Sequence, residues 1–167
     1  MPDKVEQEPI SISLLALHKH WITADAVKER ITFDVKVPED QIPKELESLG
    51  QQMSKMQTLV VFYALFYVVI EGYRELKLSD ETIEALLAKN DYVDRLRRFR
   101  NTVFHFQNDP FDKRLIEFLD AKDSEIWIKD LYKAFEKFFL RELPIVQSLE
   151  RLRNEENLSE AMHKLKK

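Results

Sequence analysis

A chain of 167 residues that is 44% hydrophobic, with 11 Phe, 5 Tyr and 2 Trp, can close a single core without a disulfide or a structural metal. It contains no cysteine, which excludes disulfides, a thiolate nucleophile and Cys-based zinc or iron–sulfur centres, and fits a reducing compartment. A net charge of −4 argues against a protein that coats nucleic acid indiscriminately.

Gly50 and Gly72 are the only glycines, and no Asn-Gly or Asp-Gly pair is present to turn a β-hairpin. With charged residues recurring three and four apart, the pattern predicts an all-α protein forming one domain over residues 1–167. The first nine residues are polar and acidic, so no signal peptide is expected and a cytoplasmic location follows. A first helix is expected at about residues 10–30, with Leu14, Leu17, Trp21 and Ala24 along one side. His18 and His20 are two apart and point to different faces of that helix, a poor pair for a metal. Ile31, Phe33, Val35 and Val37 alternate through a proline-containing stretch read as a linker or a brief extended segment.

From Lys44 a helical pattern runs to Leu76, with its continuity through Gly50 left open. Its first half is polar, whereas Thr58–Tyr73 is apolar nearly all round, as befits the centre of a bundle or a seam with a second subunit. The apolar run Thr58–Ile70 falls short of the ~20 residues that cross a bilayer, so a buried helix and no membrane contact are expected. Glu71 is the lone charge at its end, either an acid that holds an arginine or an ordinary helix-end residue.

Ser79 or Asp80 caps a short helix, Glu81–Lys89, and Asn90 or Asp91 opens the next, which stops just after His105. Asp109-Pro110 reads as an N-cap followed by proline at N1, starting a helix that ends near residues 119–121. Asp123 or Ser124 opens the last major helix, with Ile126, Leu131, Phe135, Phe138 and Phe139 on its packing side and Pro144 kinking or ending it. The core is expected at about 44–153, followed by a charged tail over 154–167.

Asp91–Gln107 carries the chemistry. As a helix it turns Tyr92, Leu96, Phe99 and Val103 inward and sets Arg97, Arg100, Asn101, Phe104 and His105 in an adjoining stripe. Arg95, Arg97, Arg98 and Arg100 lie within six residues. They either form a basic patch for one confined anion or pair with acids on neighbouring helices; the sequence leaves both open. His105 is expected near a helix C-terminus.

Arg100-Asn101-Thr102-Val103-Phe104-His105 resembles the R-x4-6-H motif of the HEPN superfamily, whose members often carry a polar residue directly after the arginine. The order of helices over roughly residues 45–150 is similar too. The resemblance implies an all-α, HEPN-like four-helix up-and-down bundle, here with an extra N-terminal helix and short accessory helices. It further implies a metal-independent endoribonuclease acting as a homodimer in a toxin–antitoxin, antiviral or stress-response setting, with RNA as substrate and an antitoxin protein as a possible partner.

The residue types suit that chemistry. RNA cleavage without a metal or other cofactor uses the 2′-hydroxyl as nucleophile and needs a base, an acid and positive charge against the phosphorus. His105 can move protons, Arg100 can bind two phosphate oxygens, and Asn101, one turn from His105, can orient the imidazole or donate to phosphate. Arg97 and Arg98 are candidate phosphate contacts and Glu71 a candidate support for Arg100. His18, His20 and His163 lie in other segments, so an acid–base pair asks for two copies across a two-fold axis. Two alternatives remain: a non-catalytic HEPN-like bundle that binds a nucleotide, RNA or protein, and a helical dimerisation protein with Phe104 and Phe106 in its interface.

Overall fold

The computed structural model describes residues 11–34, 43–109 and 112–145. Val35, Val37, Pro110 and the expected tail over 154–167 lie outside them, as does the end of the expected core beyond Ile145. Among the described residues the protein is all-α, with no strand.

The longest element, α2 (Lys44–Glu75), has 32 residues and passes through Gly50 without a break. No residue from Thr58 to Tyr73 is exposed, and nine side chains between Val60 and Tyr73 are buried. By length and composition α2 is apolar enough to cross a membrane, and 44% of its most apolar window is buried inside this bundle. The first half of α2 is largely exposed.

The remaining helices are fitted around that core segment. α1 (Ile12–Lys28), followed by a 3-10 turn at Glu29–Thr32, runs antiparallel to α2. Leu17 packs on Gly72 at one end, and Asp34 pairs with Lys55 at 2.7 Å at the other. A Cβ on residue 72 would stand 2.8 Å from Leu17 Cδ1, so glycine lets the two helices close. α6 (Ser124–Glu142) advances along α2 in the same sense, with Tyr132 beside Phe62 and Phe66, and Phe138 beside Tyr73. Phe135 meets the edges of both Phe66, at 5.8 Å, and Tyr73, at 5.4 Å, the T-shaped geometry that ring quadrupoles favour.

Polar clasps lock these helices at their margins. Tyr132 donates to the Asp25 carboxylate, and Lys28 Nζ lies 2.9 Å from the same group. Burial pulls the Asp25 carboxyl upward, but the hydrogen bonds from Tyr132 and Lys28 outweigh it and leave its pKa lowered. The Trp127 indole donates to Leu86 O at 2.8 Å, tying α6 to α3 (Glu81–Leu87). Asp80 caps α3 by accepting from Ile83 N at 2.9 Å.

Three expectations are corrected. α5 spans Lys113–Leu119 and is capped by Asp112, not Asp109, because the Asp112 carboxylate accepts from Arg114 N at 2.9 Å. α3 ends at Leu87, since the chain turns through Asn90, whose φ of 48° is left-handed. Ile126 does not pack inward; it is 59% exposed. Trp127, Ile128, Leu131, Phe135, Phe138 and Phe139 define the buried arc of α6, and Ile126 sits about 100° behind Trp127, outside it. Where the chain leaves α6, Leu143 is extended (ψ 137°), the conformation imposed on a residue before proline, here Pro144.

Phe135→Ala is expected to cost about 3–5 kcal/mol in urea unfolding, because it opens a cavity among rings that cannot collapse. Ile126→Ala should stay within about 0.5 kcal/mol. Equal losses at the two sites would contradict this packing.

Candidate functional site

α4 (Tyr92–Phe104) is held at one rotation by its inner face. Phe99 packs against Phe118 at 5.3 Å and Tyr63 at 6.2 Å, and Leu96 is fully buried. Tyr92 donates to Lys122 O at 2.6 Å, and Thr102 Oγ1 donates back to Phe99 O at 2.7 Å. With that face fixed, Arg97, Arg100 and Asn101 stand at or outside the rim of the core.

Arg100 is half-buried where α4 meets α2. Its Nη2 lies 3.5 Å from the Glu71 carboxylate, and its Nη1 donates to Asn101 Oδ1 at 3.2 Å. The guanidinium sits over the Tyr67 ring, 5.9 Å from its centre. Burial, and then the neighbouring Glu71, push the Tyr67 hydroxyl pKa up, so the ring under the arginine stays neutral. Arg100 Nε is enclosed and makes no hydrogen bond. Of its five N–H donors, two are thus engaged by side chains, one is sealed in, and two N–H groups on the Nη atoms remain.

Arg100, Asn101 and Glu71 are therefore brought into one cluster. His105 is the C-cap of α4; its backbone is extended (φ −121°, ψ 138°) and its N–H bonds Asn101 O at 3.2 Å. Its side chain is exposed, and no hydrogen bond joins the imidazole to Arg100, Asn101 or Glu71.

The rest of the arginine row is matched by acids. Arg97 pairs with Asp94 at 2.8 Å, and Arg95 with Asp91 at 2.7 Å. Arg98 reaches Glu117 on α5 at 3.2 Å and lies 3.4 Å from Asp94. That second approach is close enough for charge attraction but too poorly aligned to satisfy Arg98 Nε. These pairs are largely solvated, so solvent screens them and a stronger anion can displace them.

No family model matches this chain. No curated protein and no solved structure is detectably similar to it either. The site has to be read from its own geometry.

Part of that geometry went unseen in the sequence. The segment beyond His105 is tied back by Gln107, whose Nε2 donates to His105 O at 3.0 Å and whose Oε1 accepts from Arg114 Nη2 at 2.8 Å. Arg114 is in turn clamped by Asp112, at 2.9 Å through Nε and 2.7 Å through Nη2. An Asp-x-Arg pair after a cap-competent aspartate was the only available signal. Among the described residues, no group of three or more His, Asp and Glu side chains is gathered to hold a metal ion.

The Arg114 guanidinium holds the Asp112 carboxyl well below the usual carboxylate range, to about 2. A depressed pKa contributes stability above the unfolded value of about 3.9 and loses it as pH falls toward the folded value. The clamp on Gln107 and His105 should therefore loosen between about pH 4 and pH 2. A carboxyl-carbon NMR titration of Asp112, followed together with the Gln107 side-chain amide, checks this. Normal titration near pH 4 would show that the clamp is not formed.

Proposed function

We propose that the protein is a metal-independent endoribonuclease of HEPN type, built on a HEPN-like four-helix bundle and acting as a cytoplasmic homodimer on RNA. The observation that carries the reading is the half-buried Arg100, fixed by Glu71 and Asn101, with an exposed histidine five residues on at the end of the same helix. Such an arginine is pre-oriented, so less side-chain freedom is lost when it takes a phosphate. Exposure leaves His105 free to reach a substrate that enters from solvent.

In this scheme His105 of one copy takes the proton from the 2′-hydroxyl, whose oxygen attacks the adjacent phosphorus. The 5′-oxygen leaves with a proton supplied by the second copy's histidine, and a cyclic phosphate remains. The two Arg100 guanidinium groups bind the phosphate oxygens as charge builds on them. Asn101 holds Arg100 in place. Arg97 and Arg98 would exchange Asp94 and Glu117 for phosphates when RNA arrives. A toxin or defence role, with an antitoxin protein as counterpart, belongs to the same proposal.

One observation favours a second reading. Because Arg95, Arg97 and Arg98 already have acidic partners, the surface is less basic than the sequence suggests, which suits a bundle that binds a partner without cleaving it.

Purified wild-type protein should cut RNA in excess EDTA at an undiminished rate. His105→Ala and Arg100→Ala should each slow cleavage by about 100-fold or more, with helicity and dimeric mass unchanged. Wild-type rates in the His105 variant would remove that residue from the chemistry. Full activity in a strictly monomeric species would remove the two-copy site.

A further inference from the structure

Among the described residues most rings meet another ring, as the packing of Phe66, Phe99, Phe118 and Phe135 illustrates. Phe33, Tyr67, Phe104 and Phe106 do not; Arg30 lies over Phe33 and Arg100 over Tyr67, whereas among the described residues Phe104 and Phe106 have neither a ring nor a cation against them. Phe106 is 90% exposed and Phe104 47% exposed, and neither takes part in a ring contact among the described residues. They are the residues on either side of His105. Leaving two phenylalanines in water has a cost that burial against a ligand would recover.

We propose that Phe104 and Phe106 form a stacking surface for unpaired bases next to the scissile phosphate, so that the substrate is single-stranded RNA and not duplex. The inference rests on the ribonuclease reading above and deepens it. Three observations favour bases over a protein partner. First, the chain around the two rings is polar: His105 separates them, and Gln107, Asn108 and Asp109 follow. Two rings in such a setting fall far short of the roughly 800 Å² per partner that a stable protein interface buries. Second, the rings flank His105, five residues beyond Arg100 at the end of the same helix, so a nucleotide whose phosphate meets the guanidinium and whose sugar meets the imidazole carries its base into their neighbourhood. Third, the Gln107–Arg114–Asp112 clamp holds the backbone at His105, so the rings are presented from a fixed segment and not from a loose end. In a duplex the bases are already stacked on one another, and these rings have no face to meet. An unpaired strand offers a flat apolar face on every base.

The test uses full-length protein carrying His105→Ala, so that RNA is bound but not cut. Affinity is measured for a fluorescent single-stranded oligoribonucleotide, for the same sequence in duplex, and for an abasic strand of equal length. Adding Phe106→Ala, or Phe104→Ala with Phe106→Ala, should weaken single-strand binding about fivefold or more per ring, the lower end of what one base–aromatic stack contributes. Abasic and duplex binding should be unmoved. Phe106→Trp should restore single-strand affinity, and its indole fluorescence should be quenched by the bound strand. If single-strand affinity is unchanged in the Phe variants while His105→Ala has abolished wild-type cleavage, the stacking surface is wrong and the ribonuclease reading stands. If the protein binds and cuts no RNA, both fall. If the double Phe variant turns a dimer into a monomer by sedimentation, the rings are a subunit contact and the stacking proposal is overturned.

Discussion

The structure depends on the burial of most of one stretch of helix. Between Thr58 and Tyr73 nine side chains are buried and the rest are partly so, packed by α1, α4 and α6, and each neighbour is positioned by what it lays against that stretch. Gly72 admits Leu17 and brings α1 close. Phe66 and Tyr73 receive Phe135 edge-on and set the register of α6. Tyr63 receives Phe99 and sets the rotation of α4. Because rings interlock edge to face, small rotations lose contact area quickly, and the cluster behaves as a rigid frame.

The candidate site follows from that frame. Once Phe99 points inward, Arg100 is carried to the rim between α4 and α2, where Tyr67 lies beneath it and Glu71, one turn beyond Tyr67, meets it from the side. A guanidinium on a neutral ring, with an anion on one edge and an amide oxygen on another, has little freedom left. Five residues on, α4 has ended and the chain is extended, so His105 points into solvent from a backbone tied down by Gln107. Rigid cation and accessible imidazole are thus set by different devices, the aromatic core for one and a surface hydrogen-bond relay for the other.

Much of the fold was legible in the sequence because it rests on local rules. The near all-round apolarity of Thr58–Tyr73 announces its burial, Ser79-Asp80 announces the start of α3, where Asp80 proves to be the cap, and Pro144 announces a kink or an end of α6, which proves to be its end. What was not legible rests on choices between equivalent local signals or on distant neighbours. Asp109 and Asp112 are both competent caps, and only the reach of the Asp112 carboxylate to Arg114 N decides between them. Ile126 is as apolar as its neighbours, but the arc of α6 is fixed by the bulkier Trp127 across from α3. The arginine row read either as a free patch or as paired with neighbouring helices; Arg95 and Arg97 pair instead with Asp91 and Asp94 at the start of their own helix, and Glu117 approaches Arg98 from 19 residues away. Periodicity put Arg100 and Glu71 at helix margins; only the packing of α4 on α2 brings them to 3.5 Å.

A pre-oriented guanidinium and an exposed imidazole suit a reaction whose nucleophile is the RNA's own 2′-hydroxyl, and that chemistry leaves a distinctive mark on its products. The most direct measurement is therefore the chemistry of the ends left after purified protein is incubated with an unstructured RNA in chelator. The account predicts fragments ending in 2′,3′-cyclic phosphate, each paired with a 5′-hydroxyl. Fragments with 3′-hydroxyl and 5′-phosphate ends, or RNA left intact by fully folded dimeric protein, would contradict it.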